Sequence, residues 1–153
     1  MKLASAVFLL MLAPLAANCQ DGAKTIERIN PPTLSAPHGY SHVVIARGGR
    51  TVYIAGQVAL DKDGNLVGEG DFGAQAKQVF ENLKAALAAA HLGFADVVSI
   101  TIYVTDLSQI DKFREFRNQY FGSDLPASTL IEVKGLFRPD VMIEMNAIAV
   151  ARK

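Results

Sequence analysis

Residues 126–150 read PASTLIEVKGLFRPDVMIEMNAIAV, and this stretch decides the fold. Its two β-type runs, 128–134 and 141–150, are joined by the turn-forming residues 135–140, GLFRPD. In the second run Met142, Ile148 and Val150 share one face. Val141, Ile143, Met145, Ala147 and Ala149 share the other. A strand apolar on both faces belongs in the middle of a domain. Glu144 interrupts it, and a carboxylate in such a place loses hydration and needs a compensating partner. Glu144 is therefore either a catalytic carboxylate or an acid tied to a neighbouring strand or subunit.

Just upstream, residues 109–121 have helical periodicity, with Ile110, Phe113, Phe116, Tyr120 and Phe121 on the apolar side and Ser108 as the expected cap. Arg117 falls inside that apolar sector and Arg114 lies at its edge. Such an arginine either snorkels its head to water over the aromatic faces or holds its planar fork ready for an anionic ligand. Before this helix, residues 96–105 alternate. Val98, Ile100, Ile102 and Val104 face one way, and Ser99, Thr101, Tyr103 and Thr105 the other, which marks a strand with a buried and a polar face.

Residues 72–91 form the clearest helix. Ala76, Val79, Phe80, Leu83, Leu87 and Ala90 make the apolar stripe, with Gln75, Lys77, Gln78, Glu81, Asn82 and Lys84 opposite. Asp71 is placed to cap its start and Gly93 its end. Further upstream, 43–46 and 51–55 are β-rich and flank Arg47-Gly48-Gly49-Arg50, a tight-hairpin signal. Gly56-Gln57 then breaks the pattern before Val58-Ala59-Leu60, marking a bulge or a close approach of backbone to a ligand. His38 and His42 sit in a turn-rich segment and His91 at a helix end, without metal-ligand spacing, so no metal site is expected.

The chain has 153 residues, enough for one domain, and its 15 basic and 15 acidic residues balance. Bulk charge points to no nucleic-acid partner. Residues 3–17 are uncharged and mostly apolar, too short for a stable membrane span and suited to an export signal. The expected organisation is a signal peptide over 1–19, an arm or linker over 20–35, and one domain over 36–153. The protein would then be periplasmic or secreted. Lipidation at Cys19, the only cysteine, is disfavoured by Ala16 and Asn18 in the positions a lipoprotein signal reserves for Leu and a small residue. The alternation of elements predicts an α+β sandwich, with helices on one face of a mixed sheet and the other face buried in an oligomer.

Several pieces now stand in order: His38-Gly39-Tyr40-Ser41-His42, Tyr53-Ile54-Ala55-Gly56-Gln57-Val58, Gln75-Ala76 with Asn82-Leu83, Val104-Thr105-Asp106-Leu107, Pro126-Ala127, Glu132-Val133, and Ile143-Glu144 followed by Ala147-Ile148-Ala149-Val150. Their order and spacing resemble the RidA/YjgF family of reactive-intermediate (enamine/imine) deaminases. The resemblance implies a chorismate-mutase-like α+β fold, a homotrimer and small-molecule pockets in the clefts between subunits. It also implies water addition to an imine, giving a carbonyl compound and ammonia, without metal or organic cofactor. On the same ground Tyr40 is the pocket tyrosine, Gly56 the glycine beside the ligand and Glu144 the acid that holds the attacking water.

The sequence departs from the family where the substrate carboxylate is usually bound. Active deaminases read Pro-Ala-Arg at the start of the penultimate strand; here the residues are Pro126-Ala127-Ser128. Leu130 replaces the family's pocket cysteine, and Arg114 stands in place of its pocket asparagine. Either Arg117 or Arg114 supplies the missing cation from the helix, or the ligand is not a carboxylate. The expected function is an imine/enamine-type hydrolase with altered specificity. The alternative is a non-catalytic metabolite-binding or chaperone-like trimer.

Overall fold

The structure, a computed structural model, describes residues 26–151. The expected export segment, Cys19 and the start of the arm lie outside the described residues. Eight elements follow in order: β1 (Ile26–Ile29), β2 (Val43–Ala46), β3 (Arg50–Val58), α1 (Phe72–Ala89), β4 (Val97–Val104), α2 (Ile110–Phe121), β5 (Ala127–Glu132) and β6 (Ile143–Ala151). Short 3-10 turns at Phe94–Asp96 and Leu107–Gln109 precede β4 and α2. The main sheet has the order β3-β6-β4-β5, antiparallel except for the parallel β4–β5 pair that α2 connects.

β6 is an inner strand, as its composition requires. Ile143, Met145, Ala147 and Ala149 are buried and join Ile100, Ile102 and Val104 of β4 in the core. Phe80, Leu83 and Leu87 of α1 and Phe113 and Phe121 of α2 complete that core. Both helices thus cover one face of a mixed sheet, an α+β fold. The other face is open within one chain: Tyr53, cross-strand from Ile148, is 78 % exposed. Glu144 lies on this face and is only half-buried, rather than sealed in the core.

Several local expectations give way to tertiary pairing. The hairpin across Gly48-Gly49 does not form, because β2 pairs with β1 and β3 pairs with β6. The chain still turns there, with φ of 65° at Gly48 and 80° at Gly49, and a Cβ on Gly49 would meet the Ala151 carbonyl at 2.2 Å. The arm is itself part of the fold. β1 forms a strand, and Arg28 reaches from it to the Leu125 and Ala95 carbonyls, each at 3.1 Å.

In β4 the phase slips between Val97 and Ser99, so Val97 rather than Val98 enters the core. Gln75 is not on a solvated face. It is completely buried, donates to the Gly68 and Asp140 carbonyls and accepts from the Met142 amide at 2.9 Å. Asp71 caps α1 through the Ala74 amide as expected. The far end closes on His91 instead of Gly93: His91 adopts φ 59°, and the Leu92 amide reaches back to the Leu87 carbonyl at 2.9 Å. Ser108 does not cap α2, whose N-cap is Gln109 without a side-chain bond; Asp106 caps the preceding 3-10 turn, accepting from the Ser108 amide at 2.8 Å.

Candidate functional site

Glu144 is placed by two strands at once. β6 sets it cross-strand from Tyr103 of β4 and from Val58 of β3. Between Ile54 and Gln57, β3 carries one residue more than β6, so Ala55 and Gly56 together oppose Asn146. This is the bulge that Gly56 signalled. A Cβ on Gly56 would lie 1.8 Å from Glu144 Oε1, so the carboxylate occupies the space a side chain would take. Glu144, Gly56, Tyr103, Asn146 and Leu136 line an open cleft of about 370 Å³. No ion pair or hydrogen bond engages the Glu144 carboxylate among the described residues, and beside it Asn146 Oδ1 is buried without a partner. The cleft thus offers the Glu144 carboxylate and the Asn146 side-chain carbonyl as acceptors, and no cationic side chain lines it among the described residues.

A second cleft, of about 210 Å³, opens between α2, β5 and the turn that carries Tyr40. The parallel register puts Ser128 beside Ile100 and Leu130 beside Ile102, on the helix-facing side of the sheet. Arg114 and Arg117, one helical turn apart, face them. The Ser41 amide donates to the Pro126 carbonyl at 3.0 Å and the Ser41 hydroxyl to that of Leu125 at 2.7 Å. These bonds dock the 38–42 turn and bring Tyr40 to the cleft. Arg114 is ion-paired with Asp111 at 2.8 Å. Arg117 has no acid partner among the described residues; its Nη2 donates to Asn118 Oδ1 at 2.9 Å. Burial first, and then the neighbouring Arg114 charge, press its guanidinium below its ordinary pKa.

The candidate residues therefore form two groups rather than one. Tyr40, Arg114, Arg117 and Ser128 share a cleft; Gly56 and Glu144 share another. Ile102 lines the first and Tyr103 the second, so the clefts lie on opposite faces of β4. His42 makes a loop contact, with Nε2 2.9 Å from the Ser35 carbonyl oxygen, and no group of metal-ligating side chains occurs among the described residues. Sequence reasoning missed Gly39, Tyr103 and Asn146. Tyr103 could have been found through its place on the polar face of β4, but its pairing with Glu144 depends on register.

The matching profile, described as Endoribonuclease L-PSP, covers residues 32–151, nearly all of the described chain. The chain belongs to the RidA/YjgF family. A RutC family protein of Pyrococcus abyssi is 41 % identical over 101 residues, covering 66 % of this chain and 79 % of the relative. The human protein named 2-iminobutanoate/2-iminopropanoate deaminase is 32 % identical over 111 residues, covering 72 % of this chain and 79 % of its own. Among solved structures, a Rid family protein of Yersinia pestis superposes with a TM-score of 0.79 at 37 % identity, covering 84 % of this chain and 100 % of that one. RidA from an Antarctic Psychrobacter has a TM-score of 0.62 at 32 % identity over the same shares. RidA-type proteins thus share this chain's helices-on-sheet architecture.

Proposed function

We propose that this RidA-family protein adds water to the C=N bond of a small imine, releasing a carbonyl compound and ammonia, in clefts completed between copies of a homotrimer. The observation that carries the reading is the Glu144 carboxylate, unpaired among the described residues, lying over Gly56. A carboxylate held there can orient a water and take its proton. Oxygen then bonds to the imine carbon, and the proton passes to nitrogen. The resulting carbinolamine passes its hydroxyl proton to the nitrogen, the C–N bond breaks, and the carbonyl forms as ammonia leaves. These are proton transfers and need no redox or electrophilic cofactor.

Neither cleft alone holds both the acid and the cations, and the open sheet face around Tyr53 gives a second copy a surface to cover. In the assembled cleft Tyr40, Ser128, Arg114 and Arg117 would bind the substrate's acid end, and Gly56 would leave room beside Glu144. The named activity of the human relative supports the same chemistry. The test is ammonia release from 2-iminobutanoate generated in situ. Wild type is expected to accelerate it, and Glu144→Gln to lose about 100-fold or more while keeping its circular dichroism spectrum.

Ser128, where the family resemblance leads one to expect arginine, favours a second reading, a non-catalytic metabolite-binding or chaperone-like trimer. A wild-type protein that binds 2-oxo acids and releases no ammonia would establish it. Export to the periplasm or medium is part of the proposal, supported by the apolar segment 3–17. N-terminal sequencing of the recovered protein, expected to begin after Cys19, tests it.

A further inference from the structure

We propose that Tyr103 is a second catalytic residue of the acid cleft: its hydroxyl donates a hydrogen bond to the imine nitrogen while Glu144 takes the proton of the attacking water. That role rests on the water-addition reading; the presence of a donor beside Glu144 does not. β4 sets Tyr103 cross-strand from Glu144, while its neighbours Ile102 and Val104 are completely buried on the helix side. Tyr103 therefore stands on the open face with Glu144, as a directly opposed pair with Cβ atoms about 5 Å apart. Both line the same cleft.

The phenol is half-buried, and no hydrogen bond engages its hydroxyl among the described residues. A tyrosine in such surroundings ordinarily finds a partner. Tyr120 shows the ordinary case in the same chain, its hydroxyl taken up by Glu81. Tyr103 has a carboxylate directly across the sheet and does not bond to it. The bulge gives the reason. With no side chain on residue 56, the Glu144 carboxylate leans over β3, where a Gly56 Cβ would lie 1.8 Å from Oε1. β3 and β4 flank β6 on opposite sides. The acid thus leans away from the phenol and leaves a gap between a proton acceptor and a hydrogen-bond donor.

Water addition uses both sides of that gap. As the water oxygen bonds to the imine carbon, the π pair of the C=N bond moves onto nitrogen. Glu144 is then taking a proton and has none yet to give. An O–H aimed at the nitrogen stabilises the arriving pair until Glu144 delivers the water's proton there. The phenol keeps its own proton throughout. Asn146 is less suited, since its side chain is shorter and its Oδ1 is buried. A cation in this place would pair with Glu144 and weaken it as a base, which a neutral phenol does not do. The same hydroxyl suits the C2 oxygen of a 2-oxo acid, which takes the position of the imine nitrogen.

The full-length protein and Tyr103→Phe, which keeps the ring, test this in two assays. In ammonia release from 2-iminobutanoate, kcat should fall at least about tenfold with KM within about twofold. In calorimetric titration, wild type should prefer 2-oxobutanoate, which has the C2 oxygen, to butanoate, which lacks it. Tyr103→Phe should cut that preference about fivefold while butanoate binds within about twofold of wild type. The hydroxyl has no partner to lose, so the melting temperature should not change. A wild type that binds both acids equally or binds neither, an unchanged preference in the variant, or an equal loss for both acids would each overturn the proposal. Loss of the preference in the variant, with no ammonia released by wild type, leaves the donor standing and defeats water addition. Ammonia release with an unchanged kcat in Tyr103→Phe does the reverse.

Discussion

The carboxylate of Glu144 lies where a side chain on residue 56 would have to be: an ideal Cβ on Gly56 falls 1.8 Å from Glu144 Oε1. The two are brought together by the bulge, which lets β3 approach β6 with bare backbone at that point. Gly56→Ala would displace the carboxylate and leave the sheet intact. The displaced group is the end of a flexible side chain, and alanine also lowers the entropy of the unfolded chain. Urea denaturation is therefore expected to show a change within about 1 kcal/mol. Ammonia release should fall at least about tenfold, since a misplaced proton acceptor no longer meets the water. Full activity in Gly56→Ala would show that the close approach has no catalytic role.

Gln75 shows how one polar side chain holds a loop to a helix. It is completely buried, and its amide serves three backbone partners, the Gly68 and Asp140 carbonyls and the Met142 amide. Gln75→Leu would leave these groups buried without partners. At about 1–3 kcal/mol for each orphaned group, a loss of about 3 kcal/mol or more is expected in chemical denaturation. A loss below about 1 kcal/mol would show that water replaces the amide.

Tyr120 on α2 stacks on Phe80 of α1, with ring centroids 4.9 Å apart, and its hydroxyl donates to Glu81. Burial, and then the hydrogen bond and charge of Glu81, push the phenol from 10.0 up to about 12. The folded state thus favours the protonated phenol. That stabilisation is fully present below the unfolded value and is lost as pH rises through the folded one. Wild-type stability should therefore decline between about pH 10 and 12, measured by denaturation at fixed salt. Tyr120→Phe should cost about 1 kcal/mol at neutral pH and should flatten the alkaline decline. An equally steep decline in the variant would assign it to other groups.

His91 ends α1 in the left-handed region, at φ 59°, where only glycine is free of strain. His91→Gly is expected to raise stability by about 0.5–1 kcal/mol, and His91→Val to lower it by at least as much. Melting curves of the two variants check this. Destabilisation by glycine would show that the imidazole has a contact worth more than the relieved strain.

Most of the elements were legible in the sequence, but β1 was not: Ile26–Ile29 lies in the stretch read as an arm or linker. The apolar periodicity of α1 and α2 and the run ending in IAV specified two helices and an inner strand, because burial of a face imposes its period on the chain. The motifs around Tyr40, Gly56 and Glu144 carried the family for the same local reason. Partnership was not legible. Gly48-Gly49 signals a turn, but nothing in the flanking residues says that β2 will pair with β1, since strand-forming residues carry no label for their partner. The fate of Gln75 was hidden too: its helical position is polar by pattern, and only the loops folded over it bury it.

For the site, sequence by itself determined which chemical groups are present: one carboxylate inside β6, and arginines on α2 where the penultimate strand has Ser128. Only the tertiary structure decided how they are grouped. Consecutive residues of a strand point to opposite faces, so Ile102 and Tyr103 send the cation cleft and the acid cleft to opposite sides of the same sheet. Side-chain direction follows from local geometry, but which groups meet across space depends on strand order and register, which arise only when distant segments pack together.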